Sequence, residues 1–218
     1  MVTAQLATIP EREELVKRTI DSLYPQVDKL NVMLNGWDHK PMMEDDELKF
    51  IHLNNSKGDA AKFHGLKKVK GYIFSCDDDL LYPRDYVRVM INKLQEHDNQ
   101  VILTNHGRIM NPKPVSNSYT DRQAAFRCLG NVYEEHYLDI GGSGVMAWHS
   151  DYFFPDVDKV LIKNMADIWI AKFASEQGCK ILLNPHKEGW IKYLHPKWTI
   201  WDDHFPNPQE QTDLYNSF

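Results

Sequence analysis

Three consecutive aspartates, Asp77, Asp78 and Asp79, follow the apolar run Tyr72 to Cys76 and lead into Leu80-Leu81-Tyr82-Pro83. Carboxylates packed this closely repel, by roughly 4 kcal/mol for a pair about 4 Å apart at an effective dielectric of about 20. A hard divalent cation removes that repulsion and prefers oxygen ligands. Gly71 followed by a short apolar run reads as a buried strand, and in open α/β sheets ligands bind beyond the C-terminal ends of strands. Residues two apart share a side of an extended chain, so Asp77 and Asp79 are expected to face one point and Asp78 to face away. The stretch reads as a metal site at a strand end. The competing reading is a solvated acidic turn that starts the next helix, with Pro83 in its first turn.

The elements that would position these acids alternate through the first half of the chain. Val2 to Ala7, Leu30 to Leu34, Phe50 to Leu53, Tyr72 to Cys76 and Val101 to Thr104 read as strands. Glu11 to Tyr24 reads as a helix with Leu15, Val16, Ile20 and Leu23 on one face, as does Arg84 to Glu96 with Val87, Met90, Ile91 and Leu94. A shorter helix is expected from Ala60 to about Lys68, with Asp59 placed to cap it. Strand–helix alternation predicts an α/β fold, a mostly parallel central sheet flanked by helices.

The second half has another character. His106 to Arg122, with two prolines and little periodicity, reads as a long loop. His136 to Ile140 and Val145 to Trp148 read as strands around Gly141-Gly142-Ser143-Gly144, where a backbone can approach a ligand closely. Asn164 to Gln177 reads as a helix stopped by Gly178, and Lys180 to Leu183 and Trp190 to Leu194 as closing strands. The tail from His195 is expected to be irregular.

Composition bounds the rest. With 218 residues, 42% of them hydrophobic, the chain suits one domain over 1–218. We divide it into a nucleotide-binding half (1–105), an acceptor and catalytic half (106–194) and a tail (195–218). A net charge of −6 and the lack of a dense basic run argue against nucleic acid as a partner. Cys76, Cys128 and Cys179 are too few and too scattered for a disulfide framework or a cysteine zinc site. No apolar run reaches the roughly 20 residues of a membrane helix, and the N-terminus is too short and uncharged for a signal peptide. The expected location is cytoplasmic, with the inner face of the membrane open as a meeting place for a lipid-linked acceptor.

In order and spacing the chain resembles the nucleotide-diphospho-sugar glycosyltransferases of the GT-A fold, in the inverting family that includes bacterial polysaccharide and capsule enzymes. The resemblance spans about Val2 to Leu194, and Asp77-Asp78-Asp79 with Leu80-Leu81-Tyr82-Pro83 is its most specific piece. It implies that Asp79 ligates Mn²⁺ or Mg²⁺ directly, that Asp77 contacts the ribose or the ion through water, and that Asp78 lies in the same nucleotide-sugar site. Thr8, Pro10 and Arg12 match the turn that flanks base and ribose, and Asp59 and Lys62 the helix that closes over the nucleotide. Gly141, Gly142 and Ser143 would lie beneath donor sugar and acceptor. Asn35 stands where the family usually has an aspartate, which leaves the base open. Asp167 matches the general base, although Ala166 replaces a second acid common there. A late histidine often joins the metal; His195 is the first candidate and His204 the second.

Several of these residues also have ordinary structural readings. Asp59 and Asp167 suit helix N-termini, Lys62 a solvated face, and a lone histidine a surface position. Trp148, Trp169, Trp190, Trp198 and Trp201 suggest a sugar platform collectively, but packing individually. The implied function is metal-dependent transfer from a UDP-sugar to a saccharide or lipid-linked saccharide hydroxyl. The alternatives are a sugar-phosphate nucleotidyltransferase, which normally needs a glycine- and lysine-rich loop that Ala7 to Arg12 lacks, and a non-catalytic nucleotide- or sugar-binding domain of the same fold.

Overall fold

Along Tyr72 to Cys76, Phe74 and Cys76 enter one apolar cluster and Ile73 another on the opposite face. Val145 to Trp148 alternates the same way: Val145 and Ala147 join the first cluster, Met146 and Trp148 the second. Strands buried on both faces need helices on both sides, and the computed structural model has them. It describes residues 1–218, the side chains of Asp203 and His204 excepted.

The first half contains β1 (Val2–Thr8), α1 (Glu13–Leu23), β2 (Lys29–Asn35), β3 (Leu48–Leu53), β4 (Tyr72–Cys76), β5 (Leu80–Leu81), α2 (Tyr86–Glu96) and β6 (Ile102–Thr104). The second contains β7 (Gly107–Met110), β8 (Arg122–Phe126), β9 (His136–Leu138), β10 (Ile140–Gly141), β11 (Val145–His149), α3 (Ala166–Gln177), β12 (Ile181–Leu183), β13 (Lys192–Tyr193), α4 (Ile200–His204) and α5 (Gln209–Asn216). The main sheet has eight strands in the order β3-β2-β1-β4-β11-β6-β12-β9. β3, β2, β1 and β4 run parallel, as do β6 and β12, whereas β11 lies antiparallel between β4 and β6. Helices α1 and α2 cover one face through Val16, Ile20, Met90 and Leu94; α3 covers the other through Trp169, Ile170 and Phe173.

Four sequence expectations change. The segment expected as a helix from Ala60 to Lys68 is two 3₁₀ turns, Gly58–Phe63 and Leu66–Lys68, split at Gly65, whose φ is 73°. The stretch read as a loop from His106 opens with β7, which joins β8 and β10 in a second, three-stranded sheet. The strand expected from Trp190 to Leu194 shrinks to β13 and pairs with β5 outside the main sheet. The tail is not irregular. Thr199 and Asp202 form a capping box for α4, and α5 is pinned where Asn216 exchanges two 2.9 Å hydrogen bonds with the Val115 backbone. Its buried Tyr215 joins Ile168 and Ala171 of α3 in a third apolar cluster. The Asn216 partner lies 101 residues earlier in the chain, so local periodicity carries little sign of α5.

Candidate functional site

β1, β2 and β4 end along one edge of the main sheet, and a cleft of about 1980 Å³ opens there. Thr8 closes β1, Asn35 closes β2, and the three aspartates follow β4 at once. The loop between β10 and β11 and the start of α3 bring Gly142, Ser143 and Asp167 to the same cleft, and the chain after β13 adds His195.

The aspartates do not divide by simple alternation. The strand ends at Cys76, so the period of two ends with it, and Asp78 and Asp79 lie in a turn just past Asp77. Asp78, expected to face away, is buried at 4% exposure and shares a cation with Asp79. Arg12 Nη1 lies 2.5 Å from Asp78 Oδ1 and 3.2 Å from Asp79 Oδ2. The Asp78 and Leu80 carbonyls both accept from the Thr19 hydroxyl, at 3.0 and 2.9 Å. Asp77 stands apart and takes Lys62 Nζ at 2.6 Å. Gly144 is required beside it: a Cβ there would fall 1.8 Å from Asp77 Oδ2.

Arg12 reaches the site from a 3₁₀ turn, Pro10–Arg12, that precedes α1, and its Nη2 donates to the Trp198 carbonyl at 3.0 Å. The Thr8 hydroxyl supports Asp78 from the end of β1. Asn35 Nδ2 donates to the Gly58 carbonyl at 2.9 Å, while its Oδ1 is buried without a partner. Lys62 is not on a solvated face; it is 2% exposed. Burial disfavours its charge, but Asp77 and Asp59 outweigh that and raise its pKa.

Asp59 caps a helix, though not the one expected. Its Oδ2 accepts from Ala166 N, at the start of α3, at 3.1 Å. Burial, with Asp167 and Asp77 adding to it against the opposing pull of Lys62, lifts its pKa to about 6. The next residue along α3 is Asp167, whose Oδ1 accepts from Ser143 N at 2.7 Å. A carboxylate whose one oxygen is fixed by a backbone amide at a cleft wall can use the other on a ligand.

Burial, reinforced by Asp77 and Asp78 against the opposing Arg12 and Lys62, pushes the Asp79 carboxyl up to about 7. That local excess of negative charge fits a divalent cation. The carboxylate count fits only in part: among the described residues no three His, Cys, Asp or Glu side chains gather to hold an ion. The expected set of Asp77, Asp79 and His195 is therefore not assembled. His195 is exposed and rests against the Tyr193 ring at 4.7 Å. The bond from Leu194 N to the Asp79 carbonyl, 2.9 Å, holds the backbone nearby but not the imidazole. The His204 side chain lies outside the described residues. One or two carboxylates plus substrate phosphates is how Mg²⁺ is usually held, and Asp79 with Asp77 meets that description.

Two residues were missed by sequence reasoning. His106, just past β6, and Arg108 on β7 both line the cleft. Burial lowers the His106 pKa, with Asp167 pulling the other way. Burial likewise lowers that of Arg108, again opposed by Asp167. The position of His106 beyond a strand end was the available signal.

Comparison with known proteins bears on the same residues. No curated protein matches the chain significantly. Among solved structures it is similar to a galactosyltransferase, LgtC, in complex with donor and acceptor sugar analogues, at 13% identity and a TM-score of 0.40, covering 80% of this chain and 66% of that one. An active-site mutant of LgtC gives 15% identity and a TM-score of 0.38, with 79% and 64% covered. The chain thus spans just under two thirds of their length. The model of glycosyl transferase family 2 matches residues 11–147, which include Arg12, Lys62, all three aspartates and the glycine loop. With well over half of its length matched, the chain belongs to glycosyl transferase family 2.

Proposed function

We propose that this protein is a metal-dependent inverting glycosyltransferase that moves a sugar from a UDP-sugar to a saccharide hydroxyl, in the assembly of a surface polysaccharide. The observation that carries the reading is the placement of Asp167, held by Ser143 N at 2.7 Å in the cleft that also contains Asp77, Asp78 and Asp79.

Asp79 and Asp77 would hold Mn²⁺ or Mg²⁺. When bound, the ion supplies Lewis acidity that neutralises the departing nucleoside diphosphate. Arg12 orients Asp79 and holds Asp78 out of competition; Lys62 fixes Asp77 from below. Asn35 offers its unpartnered amide oxygen, and Thr8 and Pro10 a wall, to the base and ribose. Asp167 takes the proton from the acceptor hydroxyl as its oxygen forms the bond to the anomeric carbon. The bond from that carbon to the diphosphate oxygen breaks on the opposite face, so one base and one displacement invert the centre.

Calorimetric titration of UDP, with and without Mn²⁺, on the wild type, Asp79→Ala and Asp167→Asn tests this. The expected result is metal-dependent binding that Asp79→Ala abolishes and Asp167→Asn keeps, with transfer lost in both. Binding indifferent to metal and to Asp79 would overturn the metal-dependent mechanism. Metal-dependent binding without transfer from any UDP-sugar would leave a binding domain.

A further inference from the structure

Beside Asp167 the wall of the cleft is cationic, in a chain whose 31 acids outnumber its 25 lysines and arginines. Arg108 lies on β7, Arg122 begins β8 and Arg127 follows its end, and all three line the cleft. β7 pairs with β8 and β10, setting Arg108 opposite Ala125 on one side and Ile140 on the other. The hairpin thus carries its arginines to the edge where the β10–β11 loop delivers Ser143, the residue that holds Asp167.

Among the described residues no carboxylate lies within ion-pair distance of Arg108, Arg122 or Arg127. Arg108 is 8% exposed; its side chain donates to the Ser118 carbonyl at 2.8 Å and lies 5.0 Å from the Tyr119 ring centre, and Asp167 favours its charge from a distance without forming an ion pair. Arg122 is near enough to disfavour the charge of Arg108, and His106 is influenced by Arg108 and Arg127 as well as by Asp167. A buried cation with no ion-pair partner is costly, since burial still outweighs the pull of Asp167, and packing alone would be served as well by an apolar residue.

We propose that Arg108, Arg122 and Arg127 bind an anionic group, carboxylate or phosphate, carried by the acceptor next to the hydroxyl that Asp167 deprotonates. The guanidinium fork matches both anions bidentately. The acids after β4, with Arg12 and Lys62, form a separate cluster assigned to the donor. The inference rests on Asp167 as the base, and it names the acceptor as an acidic saccharide or a sugar phosphate.

The test is ligand-observed NMR with methyl α-glucuronide, glucose 1-phosphate and methyl α-glucoside, with and without UDP and Mn²⁺. The proteins are the wild type, Arg108→Gln and the double variant Arg122→Gln/Arg127→Gln. We expect one anionic sugar to bind about ten-fold or more tightly than the neutral glycoside. We expect the double variant to lose that preference with UDP affinity unchanged. Which anion wins separates the carboxylate source from the phosphate source. The double variant is decisive, because both its positions are more exposed than Arg108 and less able to disturb folding. No preference among the three sugars, including no binding of any, overturns the proposal. So does a preference that survives both variants, or a fall in UDP affinity, which would give the arginines to the donor phosphates. A wild type that binds anionic sugars but never UDP would sink the donor assignment and leave the anion site standing.

Discussion

Lys62 Nζ lies 2.6 Å from Asp77 Oδ1, and the two side chains differ sharply in exposure, 3% for the lysine and 45% for the aspartate. The buried partner is the cation. Its ammonium stands among Asp77, Asp59 and Asp167, so it compensates charge on both walls of the cleft. Lys62→Met removes the cation and keeps most of the stem volume. Breaking a buried pair costs about 3–5 kcal/mol, and the solvation of Asp77 places the expected loss near the lower end, about 3 kcal/mol. Urea unfolding of the two proteins measures it. A loss under about 1 kcal/mol would mean that water already screens the pair.

Asp79 supplies a pH signature. Its pKa in the unfolded chain is that of an ordinary aspartate, whereas burial and the neighbouring Asp77 and Asp78 raise it to about 7 in the fold. The unfolded state then binds fewer protons than the native state between about pH 4 and pH 7, so stability falls as pH rises through that window. The penalty is absent below the unfolded value and complete above about 7. Asp79→Asn removes it. The variant is expected to be more stable than the wild type at pH 8, by on the order of 1–3 kcal/mol, with the gap closing by pH 4. Asp59, raised to about 6, adds to the wild-type slope and remains in the variant. Chemical denaturation of both proteins across pH 4 to 8 decides; a gap that does not change with pH refutes it.

The part of this cleft beyond β4 is legible in the sequence because its parts are local. An apolar run, a strand end and three acids determine where Asp77, Asp78 and Asp79 lie, and β4 spans Tyr72–Cys76 as the pattern predicts. Which acid meets which cation is not local. Arg12 and Lys62 reach Asp78, Asp79 and Asp77 across 66, 67 and 15 residues, and no periodicity encodes such pairings. Asp59 shows the same limit: its cap-like position after a turn was readable, but the helix it caps begins 107 residues later. The β7–β8 side of the cleft was hardest to read, since both strands are short, β8 is partly exposed, and they are joined by a proline-bearing stretch that looks structureless without the partner β10.

That cap makes Asp59 a positioning residue for Asp167. Asp59→Ala leaves the Ala166 amide unsatisfied, and loss of an N-terminal cap costs about 1 kcal/mol. The displaced first turn of α3 carries Asp167 away from Ser143, so kcat is expected to fall about ten-fold or more while UDP affinity holds. Asp59→Asn keeps an acceptor oxygen and is expected to restore most of both losses. Rescue by asparagine separates positioning from charge; an equal loss in the two variants would assign Asp59 an electrostatic role instead.

Gly144 tests whether Asp77 must occupy its present place. The Gly144 carbonyl accepts from Asp77 N at 3.1 Å and from the Tyr82 hydroxyl at 2.5 Å, so its backbone is fixed on two sides. An added methyl group cannot retreat; with Asp77 Oδ2 1.8 Å from the new Cβ, the carboxylate has to rotate away. Asp77 is half-exposed to the cleft, so it has room to move without unfolding β4. Gly144→Ala is therefore expected to keep a cooperative unfolding transition, to lose up to the about 3 kcal/mol of the Lys62–Asp77 pair that the rotation breaks, and to weaken metal-dependent UDP binding at least ten-fold. Calorimetry at saturating Mn²⁺ distinguishes the outcomes: unchanged UDP affinity would remove Asp77 from the donor site and leave Asp79 alone to hold the ion.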